Sequence, residues 1–378
     1  MTAAESVEST PIVRFLTEEG QFQPTPEAEV YAGQLDRLGE ADHEEFYRRM
    51  VTVRAFDTEA TNLQRQGQMA LWPPSRGQEG AQVGSAFALR PQDHVFPSYR
   101  EHVVALMRGV DGLDIIRLMR GVTLGGWDPT DPKNGNVRLY TLVLAAQLLH
   151  ATGYAMGIGL DGAPTGNPEQ DEAVIAYFGD GASSEGDANE SLVFASSYQT
   201  PQVFFLQNNQ WAISVPVARQ SRIPLHRRAD GFGLPGVRID GNDVLASYAA
   251  TAHHLDVARA GGGPALIEAL TYRLGAHTTS DDPSKYRLDA ELSAWERRDP
   301  IPRFETYLRA QGASDAFFAG IEAEARDYAA DIRRRTLELG VPDAASMFAH
   351  VYSEDHPVIR EQSAWLAAYE EQMEGDVR

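Results

Sequence analysis

The sequence contains no cysteine. Disulfides and thiolate metal centres are therefore excluded. It also lacks any basic cluster: 33 lysines and arginines stand against 54 acidic residues, a net charge of −21. Such a surface repels nucleic acid and anionic membranes, so neither is expected as a partner. Apolar runs such as "LVLAA" at 142–146 are far too short to span a bilayer. The opening "MTAAESVESTPIVRFLTEEG" shows no basic region followed by an apolar one, so no secretory signal is expected and the cytoplasm is the expected location. Repeats and low-complexity segments are missing too.

What is present suits a large enzyme. The 378 residues, 43% of them hydrophobic, are enough to bury a substantial core. Residues 1–40 are polar and proline-punctuated and read as an extended arm. Helical spacing predicts helices over 41–66 and 78–89, and "HVFPSYREH" (94–102) reads as a short strand turning into a helix near Arg100. Residues 122–138, rich in Gly, Pro, Asn and Asp, read as a long loop. Beyond it the pattern alternates: helix 143–158, loop 161–171, strand 173–178, helix 183–199, strand 202–207, strand 236–239, helix 243–260 and strand 265–273. Alternation of this kind predicts an α/β fold, a mostly parallel sheet with helices on both faces. The expected organisation is the arm, an α/β domain over 41–288, and a charged helical extension over 289–378 packed on it.

Two strand ends draw attention. "YFGDGASSEGD" (177–187) stops an apolar run at Gly-Asp-Gly, and "FLQNNQWAIS" (205–214) stops another at Asn-Asn. On neighbouring parallel strands, Asp180 and Asn209 would stand side by side at the edge where open α/β sheets bind ligands. Magnesium takes oxygen ligands, few from protein and the rest from phosphate and water. Asp180 offers a carboxylate, Asn209 an amide oxygen, and the bend beyond it a carbonyl near Trp211. Gly179 and Gly181 permit close backbone approach, and a helix starting near Ala182 would offer free N–H groups to a phosphate. A lone Gly-Asp-Gly is most simply a capped turn. The spacing of 29 residues to Asn209, with one helix between two apolar runs, favours a metal–diphosphate site. By contrast "GIGLDG" (157–162) satisfies G-x-G-x-x-G in the wrong place, after a helix and before a polar loop, and is set aside.

Gly-Asp-Gly followed some thirty residues later by Asn-Asn resembles the thiamine diphosphate signature. With "RGQEGAQVGSAFAL" (76–89), "FPSYREH" (96–102), "VRIDGNDV" (237–244) and "ALTYRLGAHTTSDDPSKYR" (269–287), the chain resembles the alpha subunit of the first component of 2-oxo acid dehydrogenase complexes, over roughly residues 45–310. The branched-chain (2-oxoisovalerate) type is the nearer match, with the pyruvate type as the alternative. This resemblance implies the transketolase-like thiamine diphosphate-binding fold and oxidative decarboxylation of a 2-oxo acid, with acyl transfer to a lipoyl group. Magnesium would be held by Asp180, Asn209 and the Trp211 carbonyl. Gly181, Ala182, Tyr99 and Arg100 would lie on the diphosphate, Leu144 and Ile213 beside the rings, and His277, on the closing loop, would act in catalysis and touch the cofactor. Neutral-range titration would let His277 donate a proton.

The resemblance also implies partners. The acid that activates the pyrimidine belongs to a domain for which one sheet leaves no room. A beta subunit is expected to supply it, in an alpha2-beta2 heterotetramer that serves the lipoyl domain of an acyltransferase. Ser98 and Gln207 depart from the family's usual glutamine and arginine, so diphosphate contacts are expected to be redistributed. Ala146 replaces a threonine of a potassium site, and potassium is not expected. His253 and His254, without metal-ligand spacing, read as structural, and "DGNDV" (240–244) as a turn with a helix cap.

Overall fold

Near-continuous apolar runs along the central strands, such as Val174–Phe178 and Val203–Leu206, explain how the sheet is covered on both faces. In the computed structural model, which describes residues 10–123, 125–340 and 344–376, the strands are β1 (His94–Phe96), β2 (Val174–Gly179), β3 (Gln202–Asn208), β4 (Trp211–Ala212), β5 (Val215–Pro216), β6 (Gly236–Asp240) and β7 (Ala265–Leu270). Five of them form one parallel sheet in the order β1-β2-β3-β7-β6, while β4 and β5 make a separate antiparallel hairpin. Ile175, Tyr177, Val203 and Phe205 point into one core, and Val174, Ala176, Phe178, Phe204 and Leu206 into the other. Residues 1–9 of the expected arm, residue 124 of the expected loop, and residues 341–343 and 377–378 of the expected extension lie outside the described residues.

Besides single helical turns at Val217–Gln220 and, within the arm expected to be extended, at Ala32–Leu35, the helices are α1 (Glu40–Arg65), α2 (Glu79–Phe87), α3 (His102–Met107), α4 (Gly112–Arg120), α5 (Ala146–Leu160), α6 (Gly186–Tyr198), α7 (Val244–Arg259), α8 (Asp289–Glu296), α9 (Pro300–Ala310), α10 (Asp315–Leu337) and α11 (Pro357–Asp376). The first core includes residues of α1, α2, α7, α9 and α10, among them Phe46, Phe304 and Ile321. The second includes residues of α5 and α6, such as Leu148 and Leu192. No helix among the described residues is long and apolar enough to cross a membrane.

Both sheet edges are covered by irregular chain. Val13 pairs with β6 (Val13 N to Arg238 O 2.9 Å, Asp240 N to Val13 O 3.0 Å), and the 122–138 segment pairs with β1 through Val95 N to Asn136 O at 3.1 Å. Each thereby satisfies edge groups that would otherwise template aggregation. Trp127 anchors the second segment, donating from Nε1 to Val137 O at 2.9 Å.

Several boundaries differ from the sequence expectation. The strand expected over 265–273 ends at Leu270, because beyond one last bond to the end of β3 the chain turns to loop partners. Thr271 N donates to Asn208 O (2.9 Å), Arg273 N to Asn209 O (3.2 Å) and Leu274 N to Arg76 O (3.1 Å). The helix expected from 183 begins at Gly186, after a 3-10 turn over Ala182–Ser184. Helix α4 was not expected, yet its stops are in the sequence. Asp111 caps it by accepting from Leu113 N at 2.9 Å, and Gly121 ends it with φ 78°. Within "DGNDV", Asp243 is the cap of α7, accepting from Leu245 N and Ala246 N.

Helices α2 and α7 cross at Gly84, where a Cβ would meet Val244 O at 2.5 Å, Ser247 Cβ at 2.6 Å and Tyr248 N at 2.7 Å. Backbone atoms cannot yield as a flexible side chain would. Gly84→Ala is therefore expected to destabilise by about 1–3 kcal/mol. The thermal unfolding midpoint checks this; an unchanged midpoint would show that the crossing is loose.

Candidate active site

Parallel register brings the two strand ends together. Gly179 pairs with Gln207 across β2 and β3, so Asp180 and Asn209 leave the sheet side by side. A cavity of about 740 Å³ opens there. Its lining includes Asp180, Gly181, Ala182, Asn209, Trp211 and Ile213 from the two strand ends. Tyr99 and Arg100 join from the loop after β1, Leu144 from before α5, and His277 from beyond β7. All ten site residues expected from sequence thus meet at one cavity. Leu144 and Ile213 stand at its exposed mouth, and Asp180 and Asn209 are buried.

Why the sequence has two asparagines becomes clear. Asn208 points away: its Nδ2 donates to Glu268 Oε1 at 2.7 Å and its Oδ1 accepts from Gln210 N at 3.1 Å. That clamp turns Asn209 toward the cavity. Gln210 and Ile213 then take left-handed conformations (φ 71° and 55°), which fold the β4–β5 hairpin back over the site. Strain of this kind persists only where surrounding contacts hold it. Here Arg273 holds it, donating to Trp211 O (3.0 Å) and Ile213 O (2.7 Å). A Cβ on Gly181 would lie 2.9 Å from the Ala212 Cβ, so only glycine lets the two strand-end turns close.

The electrostatics centre on Asp180. Burial pushes its carboxyl up to about 6, only partly offset by the hydrogen bond from Gln220 Nε2 (2.8 Å) and by the charges of Arg273 and Arg100. Among the described residues no group of three or more His, Cys, Asp or Glu is placed to hold a metal. A metal at this point would therefore draw on one carboxylate, neutral oxygens and the oxygens of a bound phosphate, which is the donor set magnesium uses.

His277 departs from expectation. Arg100 donates to its Nδ1 at 3.2 Å and to its carbonyl at 2.9 Å. A guanidinium can only donate, so Nδ1 accepts and the ring is neutral with its proton on Nε2. Burial, with the positive charges of Arg100 and Arg273, pushes the imidazole down to about 3. Neutral-range titration is thus replaced by a neutral hydrogen-bond donor. The loop around it is tied down on both sides. Asp281 accepts from His277 N (2.8 Å) and from the Tyr286 hydroxyl, and Thr279 brackets the Trp72 backbone.

Sequence reasoning passed over several residues that the fold brings in. Glu101, fully buried, accepts from Ser98 N (2.6 Å), Ser98 Oγ (2.8 Å) and Gln207 Nε2 (2.6 Å). The two positions that depart from the family pattern therefore meet on one carboxylate. Burial raises the Glu101 carboxyl, with those hydrogen bonds opposing the shift. Arg273 and Gln220 were also missed. Arg273 lies inside the quoted "ALTYRLGAHTT" run, whereas Gln220 carries no sequence signal.

Comparison with known proteins bears on this geometry. The family described as dehydrogenase E1 component matches residues 47–332. The chain belongs to that family. Among its relatives, the 3-methyl-2-oxobutanoate dehydrogenase subunit alpha of Mycobacterium tuberculosis is 44% identical over 324 residues, covering 85% of this chain and 86% of the relative. The pyruvate dehydrogenase E1 component subunit alpha of Staphylococcus epidermidis is 38% identical over 270 residues (71% and 70%). That of Acholeplasma laidlawii is 37% identical over 320 residues (84% and 90%). Family membership fits the parallel sheet and the position of the cavity at its carboxyl edge.

The Asp180 shift fixes the sign of a stability effect. A carboxyl raised from 3.8 to about 6 in the folded chain binds its proton more tightly there than when unfolded. Stability is therefore lost as pH rises through that window, and the loss persists above it. Asp180→Asn, neutral and of the same shape, is expected to stabilise the cofactor-free protein at pH 7 by at most about 3 kcal/mol. Thermal unfolding at pH 5 and pH 7 tests this, and an identical pH slope in both proteins would refute it.

Proposed function

We propose that the chain is the alpha subunit of a branched-chain 2-oxo acid dehydrogenase. On this reading it takes part in the thiamine diphosphate-dependent oxidative decarboxylation of acids such as 3-methyl-2-oxobutanoate, with transfer of the acyl group to the lipoyl group of an acyltransferase. The observation that carries this is the meeting of Asp180, Asn209, Trp211 and Arg100 in one cavity, in a chain of the E1 family. Extensive identity to a 3-methyl-2-oxobutanoate dehydrogenase subunit supports the branched-chain type over pyruvate.

The residues fit the cofactor. A buried carboxylate with no ion-pair partner among the described residues, a glycine that a Cβ would obstruct, and a buried guanidinium suit a metal-bridged diphosphate. In this reading Asp180, Asn209 and Trp211 O bind magnesium, and Gly181, Ala182, Tyr99 and Arg100 hold the diphosphate. Leu144 and Ile213 pack on the rings. Thiamine diphosphate, when bound, supplies the electron sink for decarboxylation. The chain's own work is to orient the cofactor, exclude water and present the His277 Nε2–H at the mouth.

The mouth itself supports a partner. Leu142, Leu144, Ile213 and Val215 form an exposed apolar rim around it, and rims of this kind mark contact surfaces. A beta subunit closing over this rim would complete the site, and an alpha2-beta2 assembly is the form proposed. The chain alone is therefore expected to be inactive. Co-expressed with its beta subunit, it is expected to turn over 3-methyl-2-oxobutanoate with a higher kcat/KM than pyruvate. Decarboxylation by the isolated chain would refute the first expectation, and a preference for pyruvate would move the substrate to the alternative.

His277→Ala is expected to impair acyl transfer to lipoyl more than decarboxylation measured with an artificial electron acceptor. A positioned hydrogen-bond donor or acid contributes up to ~10²–10⁴-fold to a proton-coupled step. Both assays on one reconstituted variant decide it: equal losses would assign His277 to substrate binding or loop order, and no loss would remove it from the site.

A further inference from the structure

One polar group in the cavity has no assigned part. Gln78 precedes α2 and is only 1% exposed. Its Oε1 accepts from Asn209 Nδ2 at 3.5 Å, while its Nε2, in a residue that lines the cavity, has no hydrogen-bond partner among the described residues. A buried amide donor left unpaired costs about 1–3 kcal/mol. The surrounding backbone cannot move to relieve it. Gln78 N donates to Ser75 O (3.0 Å), Gln78 O accepts from Gln82 N (3.1 Å), Gly77 N donates to Glu79 Oε2 (2.8 Å), and Gly77 O accepts from Thr271 Oγ1 (2.5 Å). Gln78 is thus held in place with a free donor beside the Asn209 amide. Asp180 does not accept from it; the side-chain amide that donates to the Asp180 carboxylate is that of Gln220.

We infer that Gln78 is a ligand-binding residue: its Nε2–H donates to an anionic oxygen of the bound ligand, while its Oε1 fixes the Asn209 amide. An amide is suited to this double task because one end donates and the other accepts. The inference rests on the thiamine diphosphate reading above. The anionic oxygen is shared chemistry between the cofactor's diphosphate and the carboxylate of the 2-oxo acid.

The test uses the reconstituted alpha–beta complex carrying Gln78→Met or Gln78→Leu, which remove the donor with different side-chain shapes. Circular dichroism and co-purification with the beta subunit establish that a variant is folded and assembled. Calorimetry with magnesium and thiamine diphosphate, without 2-oxo acid, is the first arm; KM for the 2-oxo acid at saturating cofactor is the second. A lost hydrogen bond to a charged oxygen is expected to weaken one of them by roughly ten- to a hundredfold. Weaker cofactor binding assigns the oxygen to the diphosphate, and a raised KM alone assigns it to the carboxylate. Wild-type affinity and KM in an assembled variant would overturn the inference. A wild-type complex that binds no thiamine diphosphate would instead overturn the functional reading itself.

Discussion

A single buried carboxylate organises this protein. Asp180 stands at the carboxyl edge of a parallel sheet, out of water and, among the described residues, without a protein cation in contact. Burying such a group is unfavourable unless something neutralises it. The fold nevertheless holds it there, supporting it with one amide from Gln220 and placing Asn209 and Trp211 on the same cavity. On the proposed reading this cost is a local instability retained because the site binds a metal-bridged anion.

Two arginines connect that carboxylate to the mouth of the cavity. Arg273 grips the carbonyls of Trp211 and Ile213 and accounts for the strained hairpin over the site. Arg100 reaches the Pro74 and His277 carbonyls and the His277 ring. The loop bearing His277 and the floor of the cavity therefore share one guanidinium. Anything anionic that draws on Arg100 acts on that loop as well, since a planar fork has a fixed set of donors. Burial, reinforced by the same two charges, keeps His277 neutral, so its chemistry follows from where it is folded and not from its ordinary titration.

Much of the layout was legible in the sequence. Strand and helix alternation marked the parallel sheet, and the two apolar runs ending in Gly-Asp-Gly and Asn-Asn pointed to its functional edge. All ten candidate residues line one cavity because the motifs lie at strand ends, where topology leaves little choice of neighbour. What escaped notice was mostly polar and buried. Glu101, Gln78 and Gln220 act through partners 106, 131 and 40 residues away in the chain, and no local pattern announces hydrogen bonds across such separations.

The sequence by itself determined the class of fold, the order of its elements and the two strand ends, because hydrophobic period and turn chemistry are local properties. It also determined the excess of acid and the absence of thiols. Tertiary structure alone decided which of the two asparagines faces the cavity, through the clamp of Glu268 on Asn208. It decided that the departures at Ser98 and Gln207 meet on Glu101. It decided as well that His277 is neutral. Each of these depends on dielectric and on distance between remote segments, and both come into existence only when the chain is packed.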